Sequence, residues 1–201
     1  MPITIDYYLT LQSPWTYLGH ARFSEMARAA GARVDVLPID LGRIFPVSGG
    51  LPLPKRAPQR QAYRLVELRR FADHLGLPIN LHPAHFPVAG DDAARLVHAV
   101  REQDGADAAM ALAGAVLRGV WVEERNIADL ATLAAMLKGL DLPARRIDDA
   151  RMPAIQQRYE AASQQAIDRG VFGAPTYVVD GEMFWGQDRL DFVQRRLNQA
   201  A

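Results

Sequence analysis

The hydrophobic pattern divides the chain into three blocks. Residues 3–9 form an apolar, β-branched and aromatic run broken only by Asp6, which predicts a mostly buried strand. Ser13-Pro14 follows, and then Phe23, Met26, Ala27 and Ala30 recur at helical spacing before Gly31, which predicts one helix ending there. Residues 33–39 are a second apolar strand. Strand, helix and strand joined by short connections predict a parallel βαβ unit with a right-handed crossover.

The middle block has helical periodicity throughout. Residues 40–58 read as loop, because Gly49-Gly50-Leu51-Pro52-Leu53-Pro54 is turn chemistry. A helix is predicted over Pro58–Leu75, with Leu65, Leu68, Ala72 and Leu75 on one face and Gly76 and Pro78 closing it. Residues 79–88, rich in proline, are expected to cross the surface in extended form. Asp91 and Asp92 are expected to cap a helix bearing Ala93, Leu96, Val97 and Val100, and Asp107 to begin another. Asn126 is expected to cap a third, carrying Ile127, Leu130, Ala134 and Leu137, and Pro153 to open a fourth, carrying Ile155, Tyr159, Ala162 and Ala166.

The last block returns to strands. Residues 176–180, the Asp180-Gly181 turn and residues 182–185 predict a hairpin. Asp188 then sits where a helix cap belongs, with Leu190, Val193 and Leu197 behind it. The order β-α-β, helices, β-β-α implies an α/β fold of thioredoxin-like type with a large all-helical insertion. The expected division is residues 1–45 and 171–201 for the thioredoxin-like part and 46–170 for the inserted helices.

Composition narrows the chemistry. The chain has 201 residues, a formal net charge of zero and no cysteine. Zero charge supplies no field for nucleic acid, and no apolar run is long enough to span a membrane. Without a basic and apolar leader, the cytoplasm is the expected location. The missing cysteines exclude disulfides, thiolate metal sites and dithiol chemistry by the protein itself. His82 and His85 lack nearby acidic partners, so no metal site is expected.

Two stretches carry candidate chemistry. Ser13-Pro14 is a helix start in which the serine accepts from a free amide and the proline loses no hydrogen bond. The helix dipole adds an electropositive pocket with a hydroxyl at its mouth. Ala174-Pro175 precedes the third strand, where the carboxyl ends of the first strands and Ser13 also lie. A strand-leading proline explains Pro175, and so does a cis-proline facing Ser13 that leaves the Ala174 backbone open to an extended, peptide-like ligand.

Ser13-Pro14-Trp15-Thr16-Tyr17-Leu18, Gly170-Val171-Phe172-Gly173-Ala174-Pro175-Thr176 and Asp180-Gly181-Glu182-Met183-Phe184-Trp185-Gly186-Gln187-Asp188-Arg189-Leu190 together resemble the 2-hydroxychromene-2-carboxylate isomerases. These are grouped with kappa-class glutathione transferases on a DsbA-like fold. The resemblance spans the whole chain. It implies glutathione as cofactor, with Ser13 donating to its sulfur, Ala174 and Pro175 pairing its cysteinyl backbone, and Gln187 and Asp188 holding its γ-glutamyl end. It implies a small aromatic acid as substrate, isomerised by reversible thiolate addition, and a homodimer.

The sequence departs from the family at residues 46–54, where the usual asparagine is Gly50 and no lysine precedes it. Arg43, Lys55, Arg56 and Arg60 are candidates for a substrate carboxylate, with Arg60 near a basic family position, although a solvated basic face is the commoner explanation for any single one of them. Trp15, Tyr17, Phe45, Phe86 and Trp121 are candidates for an aromatic wall, or for core. A transferase or peroxidase using the same thiolate, and a non-catalytic binding module, are the alternative functions.

Overall fold

The computed structural model describes residues 3–200. Its elements are, in order, β1 (Thr4–Leu9), α1 (Pro14–Ala29), β2 (Arg33–Pro38), α2 (Leu41–Ser48), α3 (Pro58–Leu75), α4 (Asp91–Asp104), α5 (Ala106–Trp121), α6 (Leu130–Gly139), α7 (Arg146–Asp149), α8 (Pro153–Asp168), β3 (Thr176–Val179), β4 (Glu182–Trp185) and α9 (Leu190–Ala200). A 3-10 turn spans Leu53–Lys55 and another Gln187–Arg189.

The four strands form one sheet in the order β2-β1-β3-β4. β1 and β2 are parallel, with Tyr7 opposite Val36, while β3 is antiparallel to both β1 and β4. This is the thioredoxin arrangement that the strand pattern implies, with a helical insertion between its halves. Tyr7 and Tyr177, paired across β1 and β3, stack at 5.2 Å with their planes 3° apart, and Phe23 of α1 closes the cluster. The inserted helices α4 and α5 share the core of the sheet, whereas α3 packs on α1 in a smaller cluster of Leu18, Leu68 and Ala72. Leu96, Val97 and Val100 of α4 and Leu112 and Val116 of α5 belong to the same buried cluster as Ile5, Tyr7 and Val36 of the sheet.

Three local expectations change. Residues 41–48 are helical (α2) despite Pro46, because Asp40 caps the Gly42 N–H at 2.7 Å and Gly49, at φ 76°, ends the helix in the left-handed region. Asp91 and Asp92 make no capping bond: Asp91 accepts from the Tyr159 hydroxyl at 3.1 Å and Asp92 pairs with Arg95. Asn126 closes a short turn onto the Ala128 N–H, and the cap of α6 is Asp129, which accepts from Ala131 and Thr132. The bounds of α3 are those the periodicity predicts, and α8 opens at Pro153 as expected.

Two buried histidines tie the insertion to the sheet. His20 is 8% exposed and donates from Nε2 to the Met110 carbonyl at 3.0 Å, so its Nδ1 accepts from the Tyr7 hydroxyl at 3.1 Å. His98, 3% exposed, donates from Nε2 to the Pro38 carbonyl at 2.9 Å. Burial pushes both down from 6.5 to about 4, so both are neutral in the fold at neutral pH. In the unfolded chain both titrate near 6.5, so the unfolded state binds more protons in the interval between. Their contribution is complete above about pH 6.5 and is lost as pH falls towards about 4. Together they should steepen acid destabilisation throughout that window. Urea unfolding at a series of pH values checks this, with His98→Gln expected to halve the histidine part of the slope. A stability unchanged between about pH 6 and pH 4.5 would contradict it.

Candidate functional site

The carboxyl end of β1 delivers the chain to Ser13, which opens α1. Ser13 has extended backbone angles (φ −77°, ψ 120°), and its Oγ accepts from the Thr16 N–H at 3.1 Å. Pro14 has no N–H to offer, and the Trp15 N–H makes none of the backbone bonds found outside helices and strands. The helix therefore begins with one amide open, an oriented hydroxyl and no acidic side chain in its first turn.

Across from it lies Ala174-Pro175, whose peptide bond is cis. The Ser13 hydroxyl donates to the Ala174 carbonyl at 3.4 Å, across 161 residues of sequence. That bond is long, so the hydroxyl is readily redirected to a stronger acceptor. The Ala174 N–H takes part in none of the backbone bonds outside helices and strands, while the Pro175 carbonyl accepts from Gly186. The two ends of the chain thus meet as the sequence suggests, with a free backbone edge beside a capped helix start.

Both face one cleft of about 950 Å³, which also takes in α2, the start of α3 and the segment before α4. Trp15 and Arg60 line it, as do Phe45, Phe86 and Arg56. Arg43, Lys55, Tyr17 and Trp121 do not. Tyr17 donates to the Pro78 carbonyl, and Trp121 is fully buried core. Gly49 and Gly50 line the cleft too; a side chain on Gly50 would come within 2.2 Å of the Phe45 ring, so the residue replacing the family's asparagine is held small by its neighbour.

Gln187 and Asp188 stand apart from this cleft. Gln187 is 2% exposed, tucked beneath Gly19 of α1, and its side-chain and backbone oxygens both accept from Arg22. Its Nε2 is buried without a partner among the described residues. A β-carbon on Gly19 would meet that of Gln187 at 2.7 Å, which shows how closely α1 rests on this turn. Asp188 is exposed, pairs with Arg189 and makes no capping bond.

Three cleft residues escape the sequence pattern. Phe172 and Trp185 make an edge-on pair at 4.7 Å on the Ala174 side, and both remain partly exposed. Gly173 makes room for them, since a β-carbon there would meet the Trp185 indole at 2.5 Å. The proximity of both aromatics to Ala174-Pro175 through the predicted hairpin is the signal that could have found them. Arg64, one turn beyond Arg60 on α3, is the third. Its position at i+4 from a suspected basic residue is the corresponding clue. Among the described residues there is no cluster of metal-ligating side chains, and no helix is long and apolar enough to cross a membrane.

A thioredoxin sheet with a helical insertion, a helix start facing a cis-proline and a cleft between them define the class. Residues 4–198 match the DSBA-like thioredoxin domain, and the chain belongs to that family. Within it the chain belongs with the 2-hydroxychromene-2-carboxylate isomerases. It is 33% identical to a protein of that name from Sphingobium xenophagum, over 98% of this chain and 99% of that one. A second from Pseudomonas putida is 31% identical, over 97% of this chain and 94% of that one. A solved 2-hydroxychromene-2-carboxylate isomerase superposes with a TM-score of 0.82 at 26% identity, covering 98% of this chain and 95% of that one.

Proposed function

We propose that the protein is a glutathione-dependent cis–trans isomerase acting on 2-hydroxychromene-2-carboxylate or a related aromatic catabolite. The observation that carries this reading is the Ser13 hydroxyl, fixed at the start of α1 and aimed across the cleft at Ala174 in a chain without cysteine. The similarity to isomerases over nearly the whole chain supports the reaction class.

The residues present fit glutathione. A tripeptide needs a backbone partner, which the open Ala174 N–H offers, and its sulfur needs a donor, which Ser13 offers. Bound there, glutathione supplies a thiolate for reversible addition to a conjugated carbon–carbon double bond, which lets that bond rotate. Thr16 N–H holds Ser13 Oγ in place, and Ser13 turns its proton from the Ala174 carbonyl to the sulfur. Together with the open Trp15 N–H and the helix dipole, it favours the anionic form. Trp15, Phe45 and the Phe172–Trp185 pair present flat apolar surface to an aromatic ring. Arg60, exposed at the rim, draws in the acid. Gln187 fixes the 3-10 turn against α1 and acts as a positioning residue.

Conversion of 2-hydroxychromene-2-carboxylate to its open-chain trans isomer, followed by absorbance, tests the proposal. Turnover is expected with glutathione and not without it, and faster than conjugation of glutathione to a generic electrophile. Equal turnover without glutathione, or conjugation as the faster reaction, would overturn it.

A further inference from the structure

Three arginines, Arg56, Arg60 and Arg64, reach the cleft from α3 and the segment just before it. Arg64 differs from the other two in its surroundings. It is half-buried, with its guanidinium carbon 5.6 Å from the centre of the Phe86 ring and 5.8 Å from that of Trp121. Stacking on aromatic faces leaves the in-plane N–H edge of a guanidinium open. Among the described residues Arg64 has neither an ion pair nor a hydrogen bond, whereas Arg56 already donates to the Leu51 carbonyl. The two carboxylates that line the cleft are occupied elsewhere: Asp40 caps Gly42, and Asp91 accepts from Tyr159.

A half-buried cation without a counter-ion is unfavourable, and this one has a like charge in Arg56 nearby. Burial and Arg56 push Arg64 down from 12.5 to about 10, which still leaves it charged at neutral pH. A cation held under these conditions at the cleft wall matches a planar carboxylate, which two N–H groups of one guanidinium can engage at once. Phe86, which lines the cleft beside it, suits a ligand whose carboxylate is conjugated to a flat chain.

We propose that Arg64 is the residue that holds the carboxylate of the substrate, an aryl-substituted unsaturated acid, and so orients its conjugated chain towards the Ser13 end of the cleft. This rests on the isomerase reading of the cleft. Arg60 attracts the acid from the exposed rim, and Arg64 binds it inside.

The test uses cinnamate and its uncharged counterpart cinnamamide as probes, read by quenching of tryptophan fluorescence, since Trp15 and Trp185 both line the cleft. Arg64→Met keeps the aliphatic stem and removes the charge. Cinnamate should bind the unmodified protein more tightly than cinnamamide. Arg64→Met should weaken cinnamate by about ten- to a hundredfold, the loss of one charge-assisted pair, and leave cinnamamide unchanged. Arg64→Lys should recover only part of the affinity. Calorimetry with glutathione on the same samples should give one affinity for both proteins. No saturable cinnamate binding, equal loss of both probes, or an unchanged cinnamate affinity would overturn the proposal. A fall in glutathione affinity alone would also overturn it, by giving Arg64 to a carboxylate of the cofactor. If glutathione binds normally while the Arg64 effect is missing, only the role of Arg64 fails; if glutathione does not bind even the unmodified protein, the glutathione-dependent reading fails with it.

Discussion

Replacing Ser13 by alanine is expected to lower isomerase turnover by about ten- to a hundredfold, the equivalent of one hydrogen bond to a charged group. The hydroxyl has two partners in the fold, the Thr16 N–H at 3.1 Å and the Ala174 carbonyl at 3.4 Å. Losing the first costs a helix cap, about 1 kcal/mol of stability. Losing the second costs little, because the bond is long and partly exposed to solvent. A stability loss of that size with a much larger loss of turnover would separate the catalytic role from the structural one. The fall should appear in kcat at saturating glutathione, and raising the pH should restore part of it by ionising the thiol directly. Equal turnover in the two proteins across the pH range would leave Ser13 as a cap and nothing more.

The largest effect on stability is expected at Arg146, far from the cleft. Its side chain is 5% exposed and makes a bidentate pair with Asp104, through Nε at 2.6 Å and Nη2 at 2.7 Å, and a third bond to Asp149 at 2.7 Å. These bonds fasten the short helix α7 to the end of α4, and they push Arg146 further up while drawing Asp104 down. Removing one partner of a buried pair leaves the others uncompensated, which typically costs about 3–5 kcal/mol. Arg146→Met should therefore lower the melting temperature by about 6–20 °C in a chain of this size, as circular dichroism would show. Arg146→Lys should recover only part, because an ammonium cannot donate in the same fork. A drop of less than about 2 °C for Arg146→Met would show that α7 is held by its apolar contacts instead.

The fold was legible wherever one signal dominated. The strand runs at the two ends, the Asp180-Gly181 turn and the long periodicities of α3 and α8 each point one way, and the structure follows them. α2 was hidden because Gly42, Pro46, Gly49 and Gly50 all argue for loop, while the cap on Asp40 and the burial of Ile44 outweigh them. The caps expected of Asp91 and Asn126 failed for a similar reason. A short acidic or amide side chain takes the best partner within reach, and for Asp91 that partner is Tyr159, 68 residues away in sequence.

At the site, Ser13 facing Ala174-Pro175 could be anticipated because each end carries its own local signature. Gln187 shows the opposite case. The resemblance leads one to expect it beside a cofactor, and in the fold its side chain turns inwards to Arg22, a contact that no periodicity reveals. Arg64 was invisible for a third reason. Patterns of charge on a helix normally mark a solvated face, and its half-burial against the rings of Phe86 and Trp121 distinguishes it from Arg60.

In the proposed mechanism, Ser13 and the start of α1 hold the sulfur of a bound glutathione as thiolate. A glutathione titration at neutral pH, followed by the ultraviolet absorbance of the thiolate, tests it most directly. Saturable binding is expected, with a thiolate signal well above that of free glutathione at the same pH, and most of that signal should be lost in Ser13→Ala while binding persists. A bound sulfur that stays as protonated as in free solution, or a signal identical in the two proteins, would contradict it.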